Sequence, residues 1–295
     1  MRIVKLKGGL GNQMFQYTFA KLIEKTTGDE VKLDFSAYGC LQNDVVRKPR
    51  IHNFNISLDA ASQKEIDDIC IFQHKGNSQT DLYRLGIAAE GILNKNYYFE
   101  RTREYKNPDT LKKFLYYDGY WVAWKYVEEM NDILRTEFVP NYELSKKTKK
   151  TIEIVQKQNS VFVGIRRGDY LNTKNKMNKI FGTLGPDYYL RAMKYISERV
   201  EEPVFYIFSN DIEWCKNNLE LDGYNVNFRE SEMQTSDFEE MMIMASCKHG
   251  IIANSTYYWW GAWLGNNKEK IIVTPEKWTI EDRKIEILPP NWIGI

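Results

Sequence analysis

An α/β fold with parallel, doubly wound sheets, divided over two domains, is what this sequence predicts. Three observations carry that expectation. The N-terminus reads as a strand, a glycine loop, a helix and a second strand in succession. The C-terminal half alternates short apolar runs with amphipathic stretches, the order that places helices over a parallel sheet. The length of 295 residues is long for one domain and comfortable for two, each able to bury its own core.

Residues 2–6 (RIVKL) form the first strand, and Gly8-Gly9-Leu10-Gly11 the loop after it. Phe15, Phe19, Leu22 and Ile23 then fall on one face of a helix, and Gly28 suits its C-terminal end. Residues 31–33 (VKL) are the next strand, ending at Asp34. Residues 36–120 mix polar, aromatic and charged side chains without a clean period. A helix is expected over 127–138. Pro140 begins a lysine-rich stretch in which Lys146, Lys147, Lys149 and Lys150 read as a solvated helix face. The domain boundary is placed near residue 155. Beyond it come a strand at 160–165 and a helix opened by Gly185-Pro186, with Tyr189, Ala192, Met193, Ile196 and Val200 on one face. A strand at 203–208, a short helix at 211–219, a strand near 224–228 and a helix at 236–247 follow. A strand at 250–253, a helix at 256–264 and a strand at 270–274 complete the set.

Composition narrows the function classes. The chain is 43% hydrophobic and 27% charged, and 41 basic residues face 40 acidic ones, a balance that gives no support for bulk nucleic-acid binding or a polybasic membrane patch. The four cysteines, Cys40, Cys70, Cys215 and Cys247, include no C-x-x-C pair and suit neither zinc nor a disulfide framework. The opening MRIVKLKGGLGNQ has no long apolar stretch, so a signal peptide is not expected. No run approaches the ~18 apolar residues of a membrane span. A cytoplasmic location, with peripheral contact at the inner membrane face, is the expectation.

Ligands of an open parallel sheet bind beyond the carboxyl ends of the strands. Three polar clusters fall there in the C-terminal half: Arg166, Arg167 and Asp169; Ser209, Asn210 and Asp211; and Asn254, Ser255 and Thr256. Their chemistry suits a nucleotide diphosphate. Arginine presents a charged planar fork to phosphate oxygens. Ser255 and Thr256 offer hydroxyls and backbone N–H groups at a helix N-terminus. Asp211 suits the paired N–H donors of a guanine. Each cluster also has a plain structural reading: a salt bridge between the arginines and Asp169, and an ordinary helix cap at Ser255. Gly8-Gly9-Leu10-Gly11-Asn12-Gln13 lacks the lysine of a phosphate loop, and the third glycine of a dinucleotide fingerprint falls on Met14. That last point argues against a dinucleotide-dependent oxidoreductase. There is no Asp-x-Asp pair, and His52, His74 and His249 are scattered. Neither a metal nor a cofactor is therefore expected, and arginine with a helix N-terminus would neutralise the leaving diphosphate.

Taken together, GGLGNQMFQY (8–17), VGIRRGDY (163–170), DYYLRAMKYI (187–196), FSND-IEW (208–214) and HGIIANSTYYWWGAWL (249–264) resemble the alpha-1,2-fucosyltransferase family, glycosyltransferase family 11. The segments keep the family's order over nearly the whole chain. The resemblance implies a GT-B type α/β architecture, with two Rossmann-like domains whose parallel sheets face across a donor cleft. It assigns 1–155 to the acceptor side and 156–275 to the GDP-sugar, with 276–295 as a tail packing back on the N-terminal domain. It implies inverting transfer of L-fucose from GDP-β-L-fucose to O2 of a galactose-containing glycan. Carried over, Arg166 grips the diphosphate, Asp211 lies near the guanine, and Ser255 and Thr256 contact phosphate; Asn210 and Asn254 are further donor-binding candidates, as is Arg167, which is expected to brace the loop through an acidic partner. Gly9, Gly11, Asn12 and Gln13 face the cleft from the other domain. Asp34 and Asp169 are the candidates for a general base. The family usually reads His-x-Arg-Arg-Gly-Asp, and here Gly164 stands at the histidine position. A small void beside Arg166 is the expected result, since residues 164 and 166 share a strand face. Gly164 also leaves two alternatives open: another nucleotide-sugar donor, or a GDP- or carbohydrate-binding homologue with impaired catalysis.

Overall fold

The computed structural model describes residues 1–39, 41–42, 45–72, 81–168, 180–229, 236–280 and 284–295. The chain folds as two compact units: Met1–Asn141 with Lys284–Pro289, and Tyr142–Arg283 with Pro290–Ile295.

The first unit opens with β1 (Arg2–Lys5), α1 (Leu10–Thr27) and β2 (Val31–Asp34). Gly28 ends α1 at φ 72°, a left-handed conformation that glycine adopts without penalty. A small antiparallel ribbon, β3 (Leu41–Gln42) with β4 (Val45–Val46), follows. Then come α2 (Gln63–Ile69), α3 (Asp81–Leu93), β5 (Tyr97–Phe99) and β6 (Tyr116–Asp118). The main sheet runs β2-β1-β6-β5, parallel throughout. The helix expected over 127–138 is two helices, α4 (Trp124–Glu129) and α5 (Asn131–Glu137), divided at Met130. The returning segment Lys284–Pro289 is stitched to this unit by a Trp124 N–H bond to the Glu286 carbonyl and by a bridge between Arg103 and Ile285.

The second unit opens with α6 (Lys146–Lys157), whose lysines 146, 147, 149 and 150 are exposed. It continues through β7 (Ser160–Ile165), α7 (Pro186–Ser197), β8 (Val204–Ser209), α8 (Ile212–Asn218), β9 (Asn225–Arg229) and α9 (Asp237–Ser246). β10 (His249–Ile252), α10 (Thr256–Leu264), β11 (Ile272–Thr274) and β12 (Ile293–Gly294) complete it. The sheet runs β12-β11-β10-β7-β8-β9, again parallel. All six residues of β7 are buried, as suits a central strand covered on both faces. Its core joins Val161, Val163 and Ile165 to Tyr189, Met193 and Ile196 of α7 and to Phe205, Ile207, Ile251 and Val273. The alternation of strand and helix read from the C-terminal half is thus present element by element.

Candidate functional site

Strands β10, β7 and β8 lie side by side, with Ile252 opposite Gly164 and Ile165 opposite Ser209. Their carboxyl ends therefore bring Arg166 and Arg167, Ser209 to Asp211, and Ser255 with Thr256 to one edge of the sheet. Asp169 lies outside the described residues. Arg166 is half-buried at the end of the central strand. Ser255 caps α10 by position, yet its side chain makes no capping bond. Ser255 is buried, and it sets the start of α10 at the same edge as Arg166.

Arg167 is a brace. Its backbone N–H donates to Asn210 Oδ1 at 3.0 Å, and its Nε donates to Asp211 Oδ2 at 3.3 Å. Its guanidinium carbon sits 3.6 Å from the Trp214 ring centroid. Asp211 Oδ1 in turn accepts the Trp214 N–H at 3.2 Å, capping α8. Both carboxylate oxygens of Asp211 thus take part in holding the loop, while its side chain stays 31% exposed. Asn254 is also turned inward. It is buried, and its Nδ2 donates to the Phe181 and Trp278 carbonyls at 2.7 and 3.2 Å.

The void expected at Gly164 is absent. A Cβ there would lie 2.4 Å from Cγ of Tyr258, whose ring fills the space. The Tyr258 hydroxyl donates to the carbonyls of Ile165 (3.1 Å) and Phe208 (3.2 Å), and that of Tyr188 donates to the Ile252 carbonyl at 2.7 Å.

Two further groups at this edge went unread in the sequence. Arg229 ends β9, opposite Phe208, and its Nε is buried with no hydrogen-bond partner among the described residues. Glu240, in the first turn of α9, is half-buried. Burial pushes its carboxyl up to about 6, against the pull of Arg229 and with Asp237 adding to the rise. Tyr257 links it to the head of α10: its hydroxyl donates to the Asp237 carbonyl, and its own upward shift comes from burial and then from Glu240. The available signal was position alone, an acid in the first turn of a helix that follows a strand.

In the first unit, Gly8 holds φ 82° and Gly9 precedes α1 without a side-chain cap. Gly9 and Asn12 are half-buried and Gly11 is buried. Gln13 is fully buried. Its Nε2 donates to the Gly8 and Lys48 carbonyls at 3.1 Å each, and its Oε1 accepts from Arg50 and Ile51 N–H at 2.8 and 2.9 Å. With all four of these bonds inside the unit, Gln13 shapes the glycine loop and does not face outward. Asp34 is likewise fully buried. It accepts from Ser36 N–H (2.7 Å), from the Ser36 hydroxyl (3.0 Å) and from the Tyr116 hydroxyl. No acceptor hydroxyl can approach it, so the expectation of Asp34 as a general base is set aside. Asp118, at the end of β6, is buried with Lys5 at 3.9 Å, an ion pair to Lys7 and a 2.8 Å bond from the Tyr97 hydroxyl. Burial alone would raise its carboxyl, but Lys7 and Lys5 hold it well below the usual range.

The sequence profile described as Glycosyl transferase family 11 matches residues 1–295. The chain belongs to glycosyl transferase family 11. It is 33% identical over 305 aligned positions to the O-antigen biosynthesis glycosyltransferase WbnK of Escherichia coli, covering 98% of this chain and 99% of that one. It is 31% identical to an alpha-1,2-colitosyltransferase of the same organism, covering 99% and 98%. Among solved structures, Arabidopsis thaliana FUT1 (mutant R284K, in complex with GDP) matches with a TM-score of 0.50 at 13% identity, over 98% of this chain and 75% of that one. The family-11 transferase therefore has the expected GT-B type of fold, with parallel sheets in both α/β units.

What the second unit of this transferase offers is a positive, donor-rich sheet edge. Arg166 supplies a fixed positive charge and α10 a set of N–H donors, both suited to a leaving diphosphate. Glu240 supplies a carboxylate acceptor at the same sheet edge, with the guanidinium of Arg229 near it.

Proposed function

We propose that this glycosyltransferase moves L-fucose from GDP-β-L-fucose, with inversion, to O2 of a galactose-type residue in an oligosaccharide precursor. The observation that carries the reading is Arg166 beside the N-terminus of α10, at adjacent strand ends of the second unit. The alpha-1,2 linkage named for the colitosyltransferase relative supports the regiochemistry. The WbnK relative supports a surface-polysaccharide acceptor.

Attack of the acceptor hydroxyl expels GDP through an oxocarbenium-like transition state, so negative charge grows on the β-phosphate. Arg166 and the α10 N–H groups answer that charge, with Ser255 and Thr256 adding hydroxyl donors. Glu240 accepts the N–H pair of the guanine, while Asp211 braces Arg167. The donor is held without a divalent ion, since arginine and backbone dipoles meet the charge. Contact with the inner membrane face belongs to the same proposal. No helix among the described residues is long and apolar enough to cross a membrane.

Transfer from GDP-fucose to a panel of galactosides, with the linkage assigned by NMR and the reaction repeated in EDTA, tests the whole reading. Arg166→Ala should lower turnover roughly 100- to 1000-fold with the fold intact by circular dichroism. Near-normal turnover would sink the assignment. The colitosyltransferase relative favours one second reading, a donor sugar lacking the 3-hydroxyl of fucose. Higher kcat/KM for that donor than for GDP-fucose would select it.

A further inference from the structure

The head of α10 reaches back over the central strand through Tyr258. That side chain is 4% exposed. Its ring lies against Gly164 so closely that any Cβ there would stand 2.4 Å from two ring carbons. Such a contact is far inside the ordinary range, so the glycine and the tyrosine are a matched socket and ring. The ring's hydroxyl then closes on the Ile165 carbonyl at 3.1 Å and the Phe208 carbonyl at 3.2 Å. Ile165 directly precedes Arg166, and Phe208 directly precedes Ser209. One side chain thus ties together the end of β7, the end of β8 and the first turn of α10, the three segments that carry the diphosphate-binding groups. We propose that Tyr258 is a positioning residue for the donor, and that its pairing with Gly164 sets the placement of Arg166 relative to the α10 N-terminus. This rests on the nucleotide-sugar reading of the same sheet edge. It also reinterprets the departure at Gly164. The missing histidine leaves no defect, because the tyrosine's ring occupies the space from the other side.

The pairing predicts a double-mutant pattern. Tyr258→Phe keeps the ring in its socket and removes only the hydroxyl. GDP should then bind about tenfold more weakly by calorimetry, with donor KM raised in step, acceptor KM unchanged and the fold retained by circular dichroism. Gly164→Ala in the native background pushes the ring out and should weaken GDP binding by a similar factor. In a Tyr258→Ser background the same alanine has room and should cost nothing further. Native GDP affinity and donor KM in a folded Tyr258→Phe variant would overturn the positioning role. So would an alanine effect at 164 of equal size in both backgrounds. A native protein that binds no GDP would overturn the nucleotide reading itself. The melting-temperature cycle at 164 and 258 would still report the ring contact, so the two failures are distinguishable.

Discussion

Three acids share the first turn of α9, and only their surroundings separate them. Asp237 is exposed, Glu239 is buried in a hydrogen-bond network, and Glu240 is half-buried with a carboxyl raised to about 6. This is why Glu240 is illegible in the sequence: no local pattern distinguishes it from its neighbours. The raised value has a definite sign. The folded carboxyl sits above its ordinary 4.5, so the stability it contributes is fully present below that value and is lost as pH rises through about 6. Nucleotide binding as proposed runs the other way, because guanine N–H donors would need the ionised form. GDP affinity measured by calorimetry should therefore climb as pH passes about 6 and level off above it. Glu240→Gln should flatten that step. A native curve without a break near this pH would remove Glu240 from the base site. By contrast, the strand-end positions of Arg166 and Ser255 were legible, because a place after an apolar strand run is a sequence pattern. Gln13, Asp34 and Asn254 were misplaced for one reason: polar side chains near loops read as ligand groups until their internal hydrogen bonds are seen.

Elements divide in the same way. The second unit's strands were legible because β7 and β8 are six buried residues each or nearly so, long enough to show as apolar runs. In the first unit β5 and β6 have three residues apiece, too short for any period to emerge. The chain then turns through Trp121 at φ 56°, a conformation that no propensity assigns to tryptophan. It is held there by Glu100, which accepts the Tyr120 N–H at 2.6 Å and the Trp121 N–H at 3.2 Å, and by stacking on Phe19 at 3.7 Å. One missed signal was readable: Ser62 and Glu65 form a capping box at the start of α2. Another element is fixed at a distance. Glu239 of α9 accepts from Ser145 N–H (2.9 Å) and from the Ser145 and Thr148 hydroxyls (2.7 and 2.5 Å), pinning the first turn of α6. Removing a buried acceptor of three donors should cost about 2 kcal/mol. Urea unfolding of Glu239→Ala should show that loss in its midpoint, with α6 amides exchanging faster.

At the scale of the whole molecule, two parallel sheets each keep polar groups at the carboxyl ends of their strands, but with different outcomes. In the second unit Arg166, Arg167, Asn210 and Asp211 stay partly exposed, while Asn254 and Ser255 are buried. In the first they close inward, and Asp118 gathers Lys5, Lys7 and the Tyr97 hydroxyl beneath the sheet end. Removing one member of a buried ion cluster leaves charge uncompensated, so Asp118→Asn should destabilise the protein by about 3 kcal/mol in thermal melts. An unchanged melting temperature would show that the cluster contributes nothing. The course of the chain adds a last consequence. It passes from one unit to the other after Asn141, returns for Lys284–Pro289, and leaves again for Pro290–Ile295. Neither half is a continuous stretch of gene. A chimaera that trades donor specificity between relatives by a single crossover would take the first half without its returning segment or the second without β12. Recombination of intact halves needs three junctions, which favours the evolution of new donor and acceptor preferences by point substitution within one inherited scaffold.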